Sequence, residues 1–334
     1  MFSFLDSWLN INIWIGIVLI ILGFIGLIKG ADWLVDGASA IAKRFGISDL
    51  VIGLTVVAFG TSMPEFVVNM LSVVQGSTDL AITNILGSNI INTFVILGLT
   101  AAIYPIATQA RTRDFDIPMS ILAGALVALF IFLRPYITSQ GKGIDYIGGI
   151  VLILLFIYFL ISTFRHAKHN PEVLGKEEVE IKTISPIKSV IIILLGLLSL
   201  VAGGEMIVKS AVNIATRLGV SEAIIGLTIV ALGTSLPELA TSVIAAYKHN
   251  ADIAVGNVFG SNVFNVFFVL GTSAIINPLP AYQGIELDAC MASAGGIITW
   301  IAIKVNKEHK VTRCGGIILL LVYSGYLTYR LLMV

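Results

Sequence analysis

The sequence predicts an all-α integral membrane protein of about ten transmembrane helices, arranged as two inverted five-helix repeats. Three observations carry that prediction. The first is composition: 57% of the 334 residues are hydrophobic and 12% are charged, about half the charged share of a soluble domain. Mean hydropathy is +0.97, and apolar runs of about 20 residues, each long enough to cross a bilayer, recur along the chain. The second is an internal repeat. Gly53–Met70, GLTVVAFGTSMPEFVVNM, returns 173 positions later as Gly226–Val243, GLTIVALGTSLPELATSV, with 10 of 18 positions identical. The same offset relates Ile82–Gly98 to Val255–Gly271, with 8 of 17 identical. The third is parity. Each half holds five spans, and an odd number makes the second half enter the membrane from the opposite side.

In order, the spans are read at 14–35, 50–75, 79–103, 117–135 and 144–164, then at 188–209, 222–246, 252–276, 286–304 and 314–333. This gives a first repeat over 1–164, a polar linker over 165–187 and a second repeat over 188–334. Asp32, Asp36, Glu205 and Lys209 are read as interfacial residues near span ends. Loops after the odd-numbered spans carry 15 of the 20 Lys and Arg residues, so that side is expected to be cytoplasmic. Both termini then lie outside the cell membrane and the linker lies inside it. Residues 1–13 lack the basic start of a cleaved signal, so the first span is expected to stay in the mature protein.

Several function classes fall away. A formal net charge of zero with no basic patch speaks against nucleic acid. Cys290 and Cys314 have neither disulfide nor metal spacing. His166, His169, His249 and His309 sit in loops or at span ends and offer no proton relay. No cofactor is expected. An intramembrane enzyme is disfavoured because no nucleophile–base pair is present.

What remains is a carboxylate in each copy of the repeat, Glu65 and Glu238, inside an apolar run. A charge at the bilayer centre costs about 2.5–3.5 kcal/mol on insertion scales, so such a residue is read as functional. Thr55, Ala58, Ser62, Glu65 and Asn69 fall at helical spacing on one stripe, matched by Thr228, Ala231, Ser235, Glu238 and Ser242. Pro64 and Pro237 have no N–H, which frees the carbonyls of Gly60 and Gly233. Asn84, Ser88 and Asn92 recur every four residues in the third span, and Asn257, Ser261 and Asn265 do so in the eighth. Asn89 and Asn262 adjoin the serines. Carboxylates, hydroxyls and freed carbonyls are hard oxygen ligands of the kind that suits Ca²⁺, Na⁺ and Mg²⁺.

At these residues the chain resembles the sodium/calcium exchangers of the calcium:cation antiporter superfamily. Gly60-Thr61-Ser62-Met63-Pro64-Glu65 and Gly233-Thr234-Ser235-Leu236-Pro237-Glu238 look like that family's two alpha-repeats, and Gly87-Ser88-Asn89 and Gly260-Ser261-Asn262 belong to the same signature. The resemblance implies Na⁺/Ca²⁺ exchange by alternating access, with Ca²⁺ and Na⁺ as transported ions and the first and sixth spans sliding against a core of eight. It implies Glu65 and Glu238 as shared ligands, joined by the backbone carbonyls of Ala58, Thr61, Ala231 and Thr234. The side chains of Ser62, Ser235, Ser88, Ser261 and Asn92 complete the set. Asn265 is a departure, since many family members carry aspartate there. The chain looks like a compact prokaryotic member, without the large cytoplasmic regulatory domain of animal exchangers. Ca²⁺/H⁺ exchange or K⁺-dependent Na⁺/Ca²⁺ exchange is the alternative; a channel fits the repeat less well.

Overall fold

The computed structural model describes residues 13–137, 143–169, 185–219, 231–282 and 284–332. Residues 222–230 of the seventh predicted span, including Thr228, lie outside the described residues, as do 170–184 of the linker and the first twelve positions.

Two helices are longer than the apolar runs that foretold them. α1 covers Ile13–Phe45 and α7 covers Pro186–Arg217, against the expected 14–35 and 188–209. Hydropathy marks where a helix leaves the membrane, not where it ends, and Asp, Glu, Lys and Ser can extend it into the interface. α1 stops where Gly46 turns left-handed (φ +61°) and Ile47 N–H closes onto the Ala42 carbonyl. Asp32, Asp36, Glu205 and Lys209 are therefore helix-interior residues.

α1 and α7 cross through glycines. A Cβ on Gly23 would stand 2.7 Å from the Gly203 carbonyl oxygen, and one on Gly203 would stand 2.6 Å from that of Gly23. Gly30 and Gly196 make the same reciprocal approach at 2.8 Å, and Ser199 Oγ donates to the Gly26 carbonyl between them. Small residues allow this backbone contact inside lipid, where dispersion takes the place of the hydrophobic effect.

Next come α2 (Asp49–Thr61) and α3 (Met63–Val74), one apolar run broken at Ser62 with a 46° bend. Pro64 in the first turn of α3 explains the break. α8 (Ala231–Thr234) and α9 (Leu236–Tyr247) repeat it around Ser235 and Pro237. α4 (Thr78–Ile103) and α10 (Ala251–Ile276) are the central helices: 94% of the apolar stretch of α10 is buried, against 28% for α1 and α7. Both central helices widen into a π turn, at Ile91–Ile96 and Phe264–Leu270. α10 lies against α2 so closely that a Cβ on Gly260 would meet Leu54 Cα at 2.9 Å.

α5 (Ile117–Ile137) is entered through a wide turn at Thr112–Asp116. α6 (Tyr146–His169), α11 (Ile285–Val305) and α12 (Arg313–Leu332) complete the shell. Among the described residues, eight helices are long and apolar enough to cross a membrane, and the bent α2/α3 pair makes a ninth. Two short antiparallel pairings add to the predicted all-α fold. β1 (Ile106–Ala107) pairs with β4 (Lys310–Val311), and β2 (Gly143–Ile144) pairs with β3 (Leu279–Pro280).

The packing around α1 and α7 is lopsided. α1 lies along α9, with Leu236, Ala240 and Ile244 in one apolar cluster with Leu34, Val35 and Ala38. Its counterpart by the 173-residue offset, α7 against α3, has no comparable contact. On α3, Met63, Val67, Val68 and Leu71 are 44%, 51%, 42% and 55% exposed, whereas Leu236 and Ala240 to Ala246 are buried or half-buried.

Candidate cation site

The two helix breaks and the two π turns meet in the centre. Glu65 and Glu238 are completely buried. Ser62 Oγ donates to Glu238 Oε1 at 2.6 Å, and Ser235 Oγ donates to Glu65 Oε1 at 3.5 Å. Each break thus hands its serine to the other repeat's glutamate. The remaining oxygens, Glu65 Oε2 and Glu238 Oε2, are buried without a hydrogen-bond partner. Ser88 lies beside Glu65. Ser88 Oγ, Thr234 Oγ1, Asn92 Oδ1 and Asn265 Oδ1 are also buried and unpartnered. Unsatisfied buried acceptors are costly, and a hard cation satisfies several lone pairs at once. Among the described residues no three His, Cys, Asp or Glu side chains cluster. The donor set is two carboxylates plus neutral oxygens.

The neutral layer is tightly held. Asn257 Oδ1 accepts from Thr61 Oγ1 at 3.0 Å, while its Nδ2 donates to Ser242 Oγ at 2.9 Å and to the Glu238 carbonyl at 3.2 Å. Asn84 Nδ2 donates to Asn69 Oδ1 at 3.3 Å. The Ala58 carbonyl accepts from Ser62 N–H and lies 3.3 Å from Thr61 Oγ1 and 3.5 Å from Ser261 Oγ. Asn92 Nδ2 donates to Asn262 Oδ1 and Asn265 Nδ2 donates to Asn89 Oδ1, both at 3.1 Å.

The sequence pattern of the sodium/calcium exchanger protein family matches residues 15–165 and 188–332. The chain belongs to the sodium/calcium exchanger family. This is a family of membrane transporters. The chain is 36% identical over 312 residues to CaxA of Alkalimonas amylolytica, a match covering 92% of this chain and 96% of that one. It is 30% identical over 345 residues to the sodium/calcium exchanger MaX1 of Methanosarcina acetivorans, covering 94% and 97%. A solved structure of the sodium-calcium exchanger NCX_Mj, soaked with 10 mM Na⁺ and zero Ca²⁺, matches with a TM-score of 0.79 at 31% identity. That match covers 93% of this chain and 97% of that one.

Within this exchanger fold, Ser62 contacts Glu238 and Ser235 contacts Glu65, while the Ala58 carbonyl gathers Ser62, Thr61 and Ser261. Asn92 and Asn265 lie one helical turn beyond the serines, on the π turns. Thr234 ends α8 and Ala231 opens it. The sequence pattern singled out Asn257, Asn89 and Asn262 beside the candidate ligands without naming their partners. Their partners sit 169 to 196 positions away for every cross-repeat bond, beyond the reach of local spacing.

Proposed function

We propose that this chain is a secondary antiporter that exchanges Na⁺ for Ca²⁺ across the cell membrane, with the ions held by Glu65, Glu238 and the neutral oxygens of Ser62, Ser235, Ser88, Ser261, Asn92 and Asn265. Carbonyls of Ala58, Thr61, Ala231 and Thr234 complete the set. The carrying observation is the pair of fully buried glutamates, each with one oxygen held by the opposite repeat's serine and the other unpartnered. Two negative charges match one Ca²⁺ or two Na⁺, and alternate occupancy of one cage is the substance of exchange.

The plan behind it is ten helices in two inverted repeats, 1–164 and 188–334, around a cytoplasmic linker at 165–187. The hydrogen bonds support this reading. Ser62–Glu238 maps onto Ser235–Glu65 by the 173-residue offset, Asn84–Asn69 onto Asn257–Ser242, and Asn92–Asn262 onto Asn265–Asn89. A site shared across such a repeat is the usual transporter arrangement. The lopsided packing of α1 and α7 fits one end of an alternating-access cycle, open beside α3 and closed beside α9.

The test is Ca²⁺ uptake into sodium-loaded vesicles. Glu65→Gln and Glu238→Gln keep the shape and remove one charge each, so either should reduce flux to background. Near-normal flux in either variant refutes the cage. Driving the same vesicles with a pH gradient instead of a sodium gradient separates Na⁺ coupling from H⁺ coupling.

A further inference from the structure

An asparagine amide has a donor end and an acceptor end, and only the acceptor end helps a cation. Which end Asn92 and Asn265 present is therefore a question of selectivity. The structure answers it through two residues that the ion-binding reading leaves without a role. Asn89 Nδ2 donates to the main-chain carbonyl of Asn262 at 3.1 Å. A carbonyl can only accept, so the amino end of Asn89 must face it and Oδ1 must face the other way. That oxygen accepts from Asn265 Nδ2 at 3.1 Å. Asn265 thereby spends its amino end, and its Oδ1 is left as a buried acceptor with no donor. The other repeat has the matching arrangement, with a hydroxyl in place of the carbonyl. Asn262 Nδ2 donates to Thr93 Oγ1 at 2.8 Å, Asn262 Oδ1 accepts from Asn92 Nδ2 at 3.1 Å, and Asn92 Oδ1 is left unpartnered. Asn89 and Asn262 are themselves only 3% and 2% exposed, so these bonds are made away from bulk water.

We propose that Asn89 and Asn262 are positioning residues: each holds the amino group of the opposite repeat's cage asparagine, so that Asn265 and Asn92 offer cations their carbonyl oxygens only. The inference rests on the cage reading given above. Without Asn89, the Asn265 amide can turn and bring an N–H dipole, positive end first, toward the ion. Ion affinity falls while the helix scaffold stays intact.

A double-mutant cycle tests this with Ca²⁺ itself as probe, measuring the apparent affinity and the maximal sodium-driven flux of purified full-length protein in vesicles. Asn89→Ala should weaken apparent Ca²⁺ affinity by up to about tenfold, the upper weight of one neutral hydrogen bond. Maximal flux should change little. Asn265→Ala should lose at least as much affinity. The double variant should match Asn265→Ala alone, because Asn89 acts only through Asn265. Losses that multiply in the double variant, or wild-type affinity in Asn89→Ala, overturn the proposal. The cycle of Asn262→Ala with Asn92→Ala decides the same question independently if an Asn89 variant fails to reach the membrane. Glu238→Gln, run alongside, separates the two layers of the argument. Normal flux there refutes the cage; abolished flux there with unchanged affinity in Asn89→Ala refutes only the positioning role.

Discussion

Asn265 fixes the charge of the proposed cage. With asparagine at both 92 and 265, Glu65 and Glu238 supply the two negative charges, which one Ca²⁺ or two Na⁺ neutralise. A third Na⁺ would leave net positive charge in a low-dielectric site. Exchange is therefore expected to be nearly electroneutral, and calcium flux in vesicles clamped at different potentials should depend weakly on voltage. Asn265→Asp should increase that dependence. Movement of one net charge per cycle in the unmodified protein would refute the idea. The substitution also sets a carboxylate against Asn89 Oδ1, so two acceptors face each other and Asn89 must turn. The glutamates and prolines were legible in the sequence because a carboxylate and a helix breaker inside an apolar run leave few readings. The amide orientations were not, because they are fixed by bonds that join the two repeats.

At the level of elements, α1 carries its own latch. Lys248, just past α9, lies 2.7 Å from Asp32 and 2.6 Å from Asp36, and Asn250 Nδ2 reaches Ser39 at 3.2 Å and Asp49 at 2.6 Å. The 173-residue offset carries Asp32 and Asp36 onto Glu205 and Lys209, which lie 3.6 Å apart within α7, and Lys248 onto Gln75. The far end therefore has no lysine in the matching place, and the latch favours the packing of α1 on α9. These groups are partly exposed, so the effect is modest: about 1 kcal/mol, or roughly fivefold in the balance of states. In protein lacking Cys290 and Cys314, a cysteine at Ala245 should react several-fold faster with an impermeant thiol reagent, applied from the linker side, once Lys248→Gln is introduced. Unchanged reactivity would show that the ion pair carries no conformational weight. The break at Ser62 was readable from Pro64, and the full lengths of α1 and α7 were not. Hydropathy falls at Lys29–Asp36 although the helix continues, held by pairing with an element more than 200 residues away.

For the whole molecule, sidedness is the property the sequence addressed most directly. The residues that meet at each face agree with alternating spans. β1 joins β4, Gln109 donates to Asp252 at 2.6 Å at the start of α10, and Lys248 reaches α1, all in or beside loops assigned to the positively charged side. β2 and β3 meet among loops assigned to the other side. A cysteine at Glu177 should be labelled only from the cytoplasm, and one at Val334 only from outside; both on one side would remove the inverted repeat. The glycine crossing of α1 with α7 has a further meaning for such a machine. Backbone meets backbone at two reciprocal points, with Ile207 and Leu200 packed beside them, so in the exchange cycle proposed above the two helices are expected to travel as a single rod. A single rod that seals one doorway by lying against α9 must leave the opposite doorway beside α3. In the proposed cycle the crossing would act as an interlock: leakage through two simultaneously open doors would be forbidden by shape and would not depend on the timing of two separate gates.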